Sequence, residues 1–388
     1  MWRRVLLTIL LTGLLFGLLY LRKAPGSYLA PSETPLIGID FTLSTPSPIN
    51  QQAPGGDKLV QTAWIPDWGM SAGLTSFAAK GANFDSISPV WYYLNDDGLI
   101  STKKRNVDET KSLCQKYGVK LVPSIANFDS EQFEKVLSDP DLLARHVQFL
   151  VDEVLSNDFD GLDLDYESVE LKYQPAYLYL IREISDKLHA EGKVLTIAVI
   201  SNWTNSDIFR GLRQTRQAQD LATIASLVDE VRIMTYDMTS YSSTFAGPVA
   251  PLDWLEANLR YLITLVDPQK IMLGLPLYGY DGWSNNPTIP KPYLGLYANP
   301  GAGAGQADAV TYQSLDLARA NLVSDVIEEF SQEQLLTYDY EGKRYFVFYP
   351  SVASTALRID LAKQYGVKGV AYWRMGGEDL NIYDLLDK

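Results

Sequence analysis

The chain has 388 residues, 46% of them hydrophobic, enough for one large core or two modest ones. Its 33 basic and 47 acidic residues leave a net charge of −14, which argues against nucleic acid or an anionic membrane surface as a partner. A single cysteine, Cys114, excludes an internal disulfide and a Cys-rich zinc site. Two histidines in helix-like stretches, His146 and His189, make a Ser-His-Asp triad or a His-rich metal site improbable. What remains for chemistry is carboxylates and aromatic rings, among them 24 tyrosines and 8 tryptophans.

Residues 1–23 begin with Arg3 and Arg4, continue as an apolar run from Val5 to Leu21, and end in Arg22 and Lys23. The pattern is that of a secretory signal or an uncleaved signal anchor, about long enough to span a bilayer. It places the rest of the chain outside the cytoplasm of a bacterium, as a single-pass membrane protein, or as a secreted one if the segment is cut. Residues 24–57, rich in Pro, Ser, Thr and Gly, read as an extended linker with no core of its own.

From Lys58 onward, strand and helix alternate. KLVQTAWIPDW is a first strand and SAGLTSFAAKG a helix; FDSISPVWYYL, VDETKSLCQKYG and VKLVPSIANF repeat the step. A long helical stretch runs from about Ser130 to Ser156. The fourth strand, FDGLDLDYE, leads to a helix that stops at Gly192. KVLTIAVIS, EVRIMTYDMT and KIMLGLPLYGY are strands five to seven, separated by helices near DLATIASLV and PLDWLEANLRYLITLV.

The rhythm then breaks over about 284–350, a small α+β insertion. It holds a helical piece near ANLVSDVIEEF and a hairpin, QLLTYDYEGKRYFVFY, turning at Glu341-Gly342. GAGAG at Gly301–Gly305 lacks the Lys-Ser/Thr and the strand–helix flanks of a phosphate loop. SVASTALRIDLAKQYG is again a helix, VKGVAYWRMGGED the eighth strand, and LNIYDLLDK a closing helix. Eight strands, each followed by a helix over residues 58–388, are the count of an α/β (β/α)8 TIM barrel. An open doubly wound sheet would carry a Gly-rich turn after its first strand, which WIPDWGM does not supply.

In the fourth strand, Asp163, Asp165 and Glu167 fall at i, i+2 and i+4 and so share a face, roughly 6–7 Å apart. Like charges so close raise the pKa of the group that yields, which keeps a carboxylic acid protonated near neutral pH. Barrel chemistry gathers at the carboxyl ends of the strands. These acids stand at the end of the fourth strand, Tyr236 and Asp237 at the end of the sixth, Tyr278 at the seventh and Trp373 at the eighth. A nucleotide-sugar transferase reading of Asp163-Leu164-Asp165, or a Mg or Ca site, lacks supporting ligands and a phosphate loop.

The region from about Lys58 to Lys388 resembles the family 18 glycoside hydrolases. Asp160, Asp163, Asp165 and Glu167 meet that family's D-x-x-D-x-D-x-E strand in full. Met234, Tyr236 and Asp237 match M-x-Y-D of its sixth strand, and Trp373 its eighth-strand tryptophan. The style of TAWIPDW and YGVKGVAYWRMGGED is similar to the bacterial wall- and spore-associated branch.

The resemblance implies substrate-assisted, retaining hydrolysis of N-acetylglucosamine glycans without cofactor or metal. Glu167 would be the general acid and then the base. Asp165 would hold the acetamido N–H, Asp163 would share a proton with Asp165, and Tyr236 would bind the acetyl oxygen. Asp237, Met234, Trp373 and Tyr278 would bind the sugar, with Trp373 as its floor, and Asp160 would support the strand. Trp64, Trp68, Trp91, Trp203 and Trp283 are candidates for outer subsites, though packing is the commoner use of such rings. The expected partner is a polysaccharide containing N-acetylglucosamine (chitin, peptidoglycan or N-glycan), acted on by a monomer. The competing class is a non-catalytic, lectin-like protein, against which the presence of Glu167 argues.

Overall fold

The computed structural model describes residues 58–167, 169–201, 218–240, 246–284 and 307–386, with the backbone of 292–293 and 296–297. The expected anchor (1–23) and linker (24–57), GAGAG and Trp203 lie outside the described residues. Among the described residues, no helix is long and apolar enough to cross a membrane.

Eight parallel strands close on themselves: β1 (Val60–Pro66), β2 (Ser86–Leu94), β3 (Ser124–Asn127), β4 (Gly161–Tyr166), β5 (Val194–Ile200), β6 (Glu230–Met234), β7 (Ile271–Pro276) and β8 (Gly369–Trp373). Each pairs with its neighbour in sequence, and β1 pairs with both β2 (Thr62↔Ser86) and β8 (Val60↔Gly369), which shuts the ring. This is the expected (β/α)8 barrel. Alternation along each strand splits the side chains into two sets. Leu162, Leu164, Tyr166, Ile197, Ile233 and Leu273 pack outward under the helices. Trp64, Val90, Ala126, Ala198, Met272 and Ala371 form a separate cluster, with Met234 and Trp373 against it. Three alanines in this second, inner set leave room in the lumen that larger side chains would fill.

At Gly161 a Cβ would stand 2.2 Å from the Val194 carbonyl oxygen, so only glycine lets β4 and β5 lie this close.

Several boundaries differ from the sequence reading, each for a local reason. The third strand is interrupted: Lys120–Leu121 pairs with β2, and pairing resumes only at Ser124, after Pro123, which has no N–H to donate. The helical stretch after it divides into Ser130–Ser138 and Pro140–Ser156. Asp139 caps the second helix by accepting from the Asp141 and Leu142 amides, and Pro140 occupies its first turn.

The insertion between β7 and β8 is a five-stranded antiparallel sheet in the order 308–310, 279–284, 343–349, 334–340, 322–327. The helix expected near ANLVSDVIEEF is instead the edge strand Leu322–Ile327, preceded by a short helix at Asp316–Ala320. Val323, Val326 and Ile327 suit a pleated strand better than a helix. The hairpin turns where expected, with Glu341 (φ 49°) and Gly342 (φ 74°) both left-handed. The last segment, Leu380–Leu386, winds as a 3-10 helix rather than an α-helix.

Candidate active site

The site builds upward from the barrel interior. Asp163 is fully buried and stands in register between Ser124 of β3 and Thr196 of β5. Its Oδ2 accepts from Trp64 Nε1 at 2.8 Å and Ser124 Oγ at 2.7 Å; its Oδ1 accepts from Thr196 Oγ1 at 2.6 Å. The Arg232 guanidinium lies 3.2 Å from Oδ1 and also donates to Ser88 Oγ and Glu230. Every partner is a donor, so Asp163 acts here as an acceptor facing a buried cation.

Asp165, two residues nearer the open end, is buried beside Ala126, and its Oδ1 has no hydrogen-bond partner. Burial, then the charges of Glu167 and Asp163, push its carboxyl well above the ordinary range. Glu167 follows the last residue of β4, and its amide donates to the Asn127 carbonyl at 3.0 Å. The residue keeps some exposed surface, but loss of solvent around the carboxyl, reinforced by Asp237, raises its pKa to about 7. The three acids therefore differ by depth: one surrounded by donors, one buried with an unused oxygen, one at the rim poised near neutrality.

Past the end of β6, burial, then the charges of Asp165, Glu167, Asp237 and Asp163, push the Tyr236 phenol well above its ordinary range. The described geometry thus gathers the fourth- and sixth-strand residues around one place. Asp237 takes a left-handed backbone (φ 61°) and accepts from the hydroxyls of Tyr278 and Tyr280. Burial raises its pKa, and these two hydroxyls act against the rise. Tyr278 meets Tyr236 edge-on, with ring centroids 6.4 Å apart. Trp373 ends β8 opposite Pro276 of β7 and meets Trp64 edge-on at 6.1 Å. A cis peptide bond joins Trp373 to Arg374. Met234 packs into the same inner cluster as Trp373.

Asp160 is not part of this group. It lies just before β4, at the opposite end of the strand from Glu167, where its Oδ2 accepts from the Leu121 amide at 2.8 Å. Trp64, considered for an outer subsite, is instead buried in the lumen under Asp163. Trp91 is likewise buried, its ring tilted against that of Phe159 with centroids 5.7 Å apart. Trp68 is 65% exposed, just past the end of β1.

Of the donors around Asp163, only Trp64 stands out in the sequence, and there as an outer-subsite candidate. The signal was present for Arg232: a charge in phase with Glu230 and Met234 in an otherwise apolar parallel strand points inward. Nothing comparable marks Ser124, Thr196 or Tyr280, whose roles depend on strand register and on the inserted sheet.

The profile of the glycosyl hydrolases family 18 matches residues 72–378 of this chain. The cortical fragment-lytic enzyme of Bacillus subtilis is 25% identical over 273 residues, 69% of this chain and 59% of that protein. The glycosylase YdhD of the same organism is 26% identical over 298 residues, 75% of this chain and 65% of its own length. The chain thus spans about three fifths to two thirds of these relatives. In fold it is similar to the spore cortex-lytic enzyme SleL of Bacillus megaterium, with a TM-score of 0.72 and 18% identity over 86% of this chain and 75% of that one. It is also similar to a chitinase of Chromobacterium violaceum, with a TM-score of 0.70 and 21% identity over 84% of this chain and 98% of that one.

Proposed function

The chain belongs to the glycosyl hydrolases of family 18, and on that premise we propose that it cleaves β-1,4 bonds of glycans containing N-acetylglucosamine, with retention of configuration. The observation that carries this reading is the graded trio of Asp163, Asp165 and Glu167 in one barrel mouth, with a protonatable Glu167 at its rim. A carboxyl with a pKa near the working pH both gives a proton to a leaving glycosidic oxygen and takes one from water. The unused Oδ1 of buried Asp165 suits the acetamido N–H of the sugar. The substrate's own acetyl oxygen would attack the anomeric carbon, oriented by the Tyr236 hydroxyl, and the oxazolinium-like intermediate would be stabilised by Asp165. Asp163, held among donors, tunes the charge of Asp165. Asp237, Met234 and Tyr278 would border the reacting sugar, and Trp373 would floor it.

Wall glycan is the substrate this reading favours. The Bacillus relatives named for cortical fragments and spore cortex support it, and chitin is the alternative. The site would work outside the cytoplasm, in a monomer tethered by residues 1–23 or released by their removal. Glu167→Gln tests the assignment: turnover should fall on the order of 10²–10⁴-fold, while glycan binding and melting temperature persist. Near-normal turnover in the purified variant would sink it. Mass spectrometry of products from chitin oligomers and from purified peptidoglycan identifies the substrate.

A further inference from the structure

The carboxyl end of β8 carries a cation that none of the steps above uses. Arg374 follows Trp373 at the carboxyl end of β8 and is half-buried. Its guanidinium lies over the ring of Trp68 at 4.1 Å, and Nη1 donates to the Gly376 carbonyl at 3.0 Å. A Cβ on Gly69 would stand 3.4 Å from the same nitrogen, so the head group is packed between β1's exit and β8's exit.

No carboxylate pairs with it among the described residues. Glu378, whose charge it feels, spends Oε2 on the Gly376 amide and Oε1 on the Tyr383 hydroxyl at 2.8 Å. Burial accordingly holds the guanidinium below its ordinary range, with Glu378 acting against that shift. The buried arginines are better compensated: Arg232 meets Asp163 and Glu230, and Arg358 lies 3.6 Å from Glu333 and donates to four carbonyls. A guanidinium carries five N–H donors in a planar fork matched to a carboxylate. A half-buried one with a single protein acceptor and no counter-ion among the described residues has donors left for a ligand.

We propose that Arg374, backed by the exposed ring of Trp68, binds a carboxylate of the glycan next to the reacting sugar, and so selects an acidic glycan over a neutral homopolymer of N-acetylglucosamine. Trp68 offers one face to Arg374 and, being largely exposed, leaves the other to the neighbouring sugar ring. The inference rests on the glycosidase reading for its catalytic readout, but not for its binding readout. In wall glycan the carboxylate has two sources: the lactyl group of a sugar stripped of peptide, or an acidic residue of an attached peptide.

The test compares wild type, Arg374→Gln and Arg374→Lys on chitin hexamer, amidase-stripped wall glycan and peptide-bearing wall glycan. For Arg374→Gln, the ratio of kcat/KM on an acidic glycan to that on chitin hexamer should fall roughly 10- to 100-fold, mainly through KM. Arg374→Lys should recover part of the loss, since it keeps the charge and loses the fork. Loss on the stripped glycan assigns the lactyl carboxylate; loss on the peptide-bearing glycan alone assigns the peptide. An equal fall on all three substrates, or no change in the ratio, would overturn the proposal.

Calorimetric titration of stripped and of peptide-bearing glycan strands into Glu167→Gln, with and without Arg374→Gln, separates this idea from the glycosidase reading. If the wild type turns over none of the substrates, the glycosidase reading fails. A salt-sensitive drop in affinity for either acidic glycan in the double variant still upholds the Arg374 site. Equal affinities of the two proteins for both, or no binding by either, refute it.

Discussion

A glutamate in open water is almost wholly ionised at pH 7 and has no proton to give. Glu167 is held near half-protonation there because lost solvent and the nearby Asp237 both penalise its charged form. The basic limb of kcat/KM should therefore fall near pH 7. In Asp237→Asn one of these causes is gone, the charged form becomes easier to reach, and the limb should move to lower pH. A limb that stays put in that variant's pH–rate profile would show that Asp237 does not set it. Asp163 presents the opposite case, an acid surrounded by donors with a guanidinium 3.2 Å away. Arg232→Met would strand a buried carboxylate and should cost about 3–5 kcal/mol, read as a lower urea midpoint at pH 7. A cost under about 1 kcal/mol would mean that Trp64, Ser124 and Thr196 suffice without the cation.

At the scale of the element, strand β4 does two jobs with one alternation. Leu162, Leu164 and Tyr166 anchor it under the helices, while Asp163 and Asp165 turn into the lumen. The anchoring depends on backbone closeness at Gly161. In Gly161→Ala the new methyl would meet the Val194 carbonyl, and the β4–β5 pairing must shift. Stability should drop by about 1–3 kcal/mol, seen as a lower melting temperature, with activity falling further because Asp163 and Thr196 move apart. An unchanged melting temperature would show that the pair has slack. The insertion behaves as a separate element: its sheet supplies Tyr280, which reaches back to Asp237 at 3.2 Å. The edge strand Leu322–Ile327 reads as helical in sequence because its apolar residues fit either period over so short a run.

For the molecule as a whole, a raised acid contributes sensitivity to alkali, opposite in sign to lowered acids such as Glu230. Between the ordinary glutamate pKa of 4.5 and about 7, the folded chain holds a proton on Glu167 that the unfolded chain has already lost. Stability should therefore decline as pH rises through that window, by at most about 3 kcal/mol from this group, with buried Asp165 adding in the same direction. Denaturant titrations at pH 5 and pH 8 should show a smaller decline in Glu167→Gln than in the wild type; an equal slope in the variant would assign it elsewhere. The barrel was legible in the chain because eight apolar runs alternate with helical stretches, and the acids because spacing by two puts Asp163, Asp165 and Glu167 on one face whatever else the strand does. Such periodicities are local, so sequence alone carries them. Which donors surround Asp163, how Tyr278 and Tyr280 come to hold Asp237, and that Trp64 lies inside while Trp68 lies outside beneath Arg374, were decided only when β1 closed on β8 and the ring set its registers. Those partners lie tens to hundreds of residues apart, and no local pattern records which of them will meet.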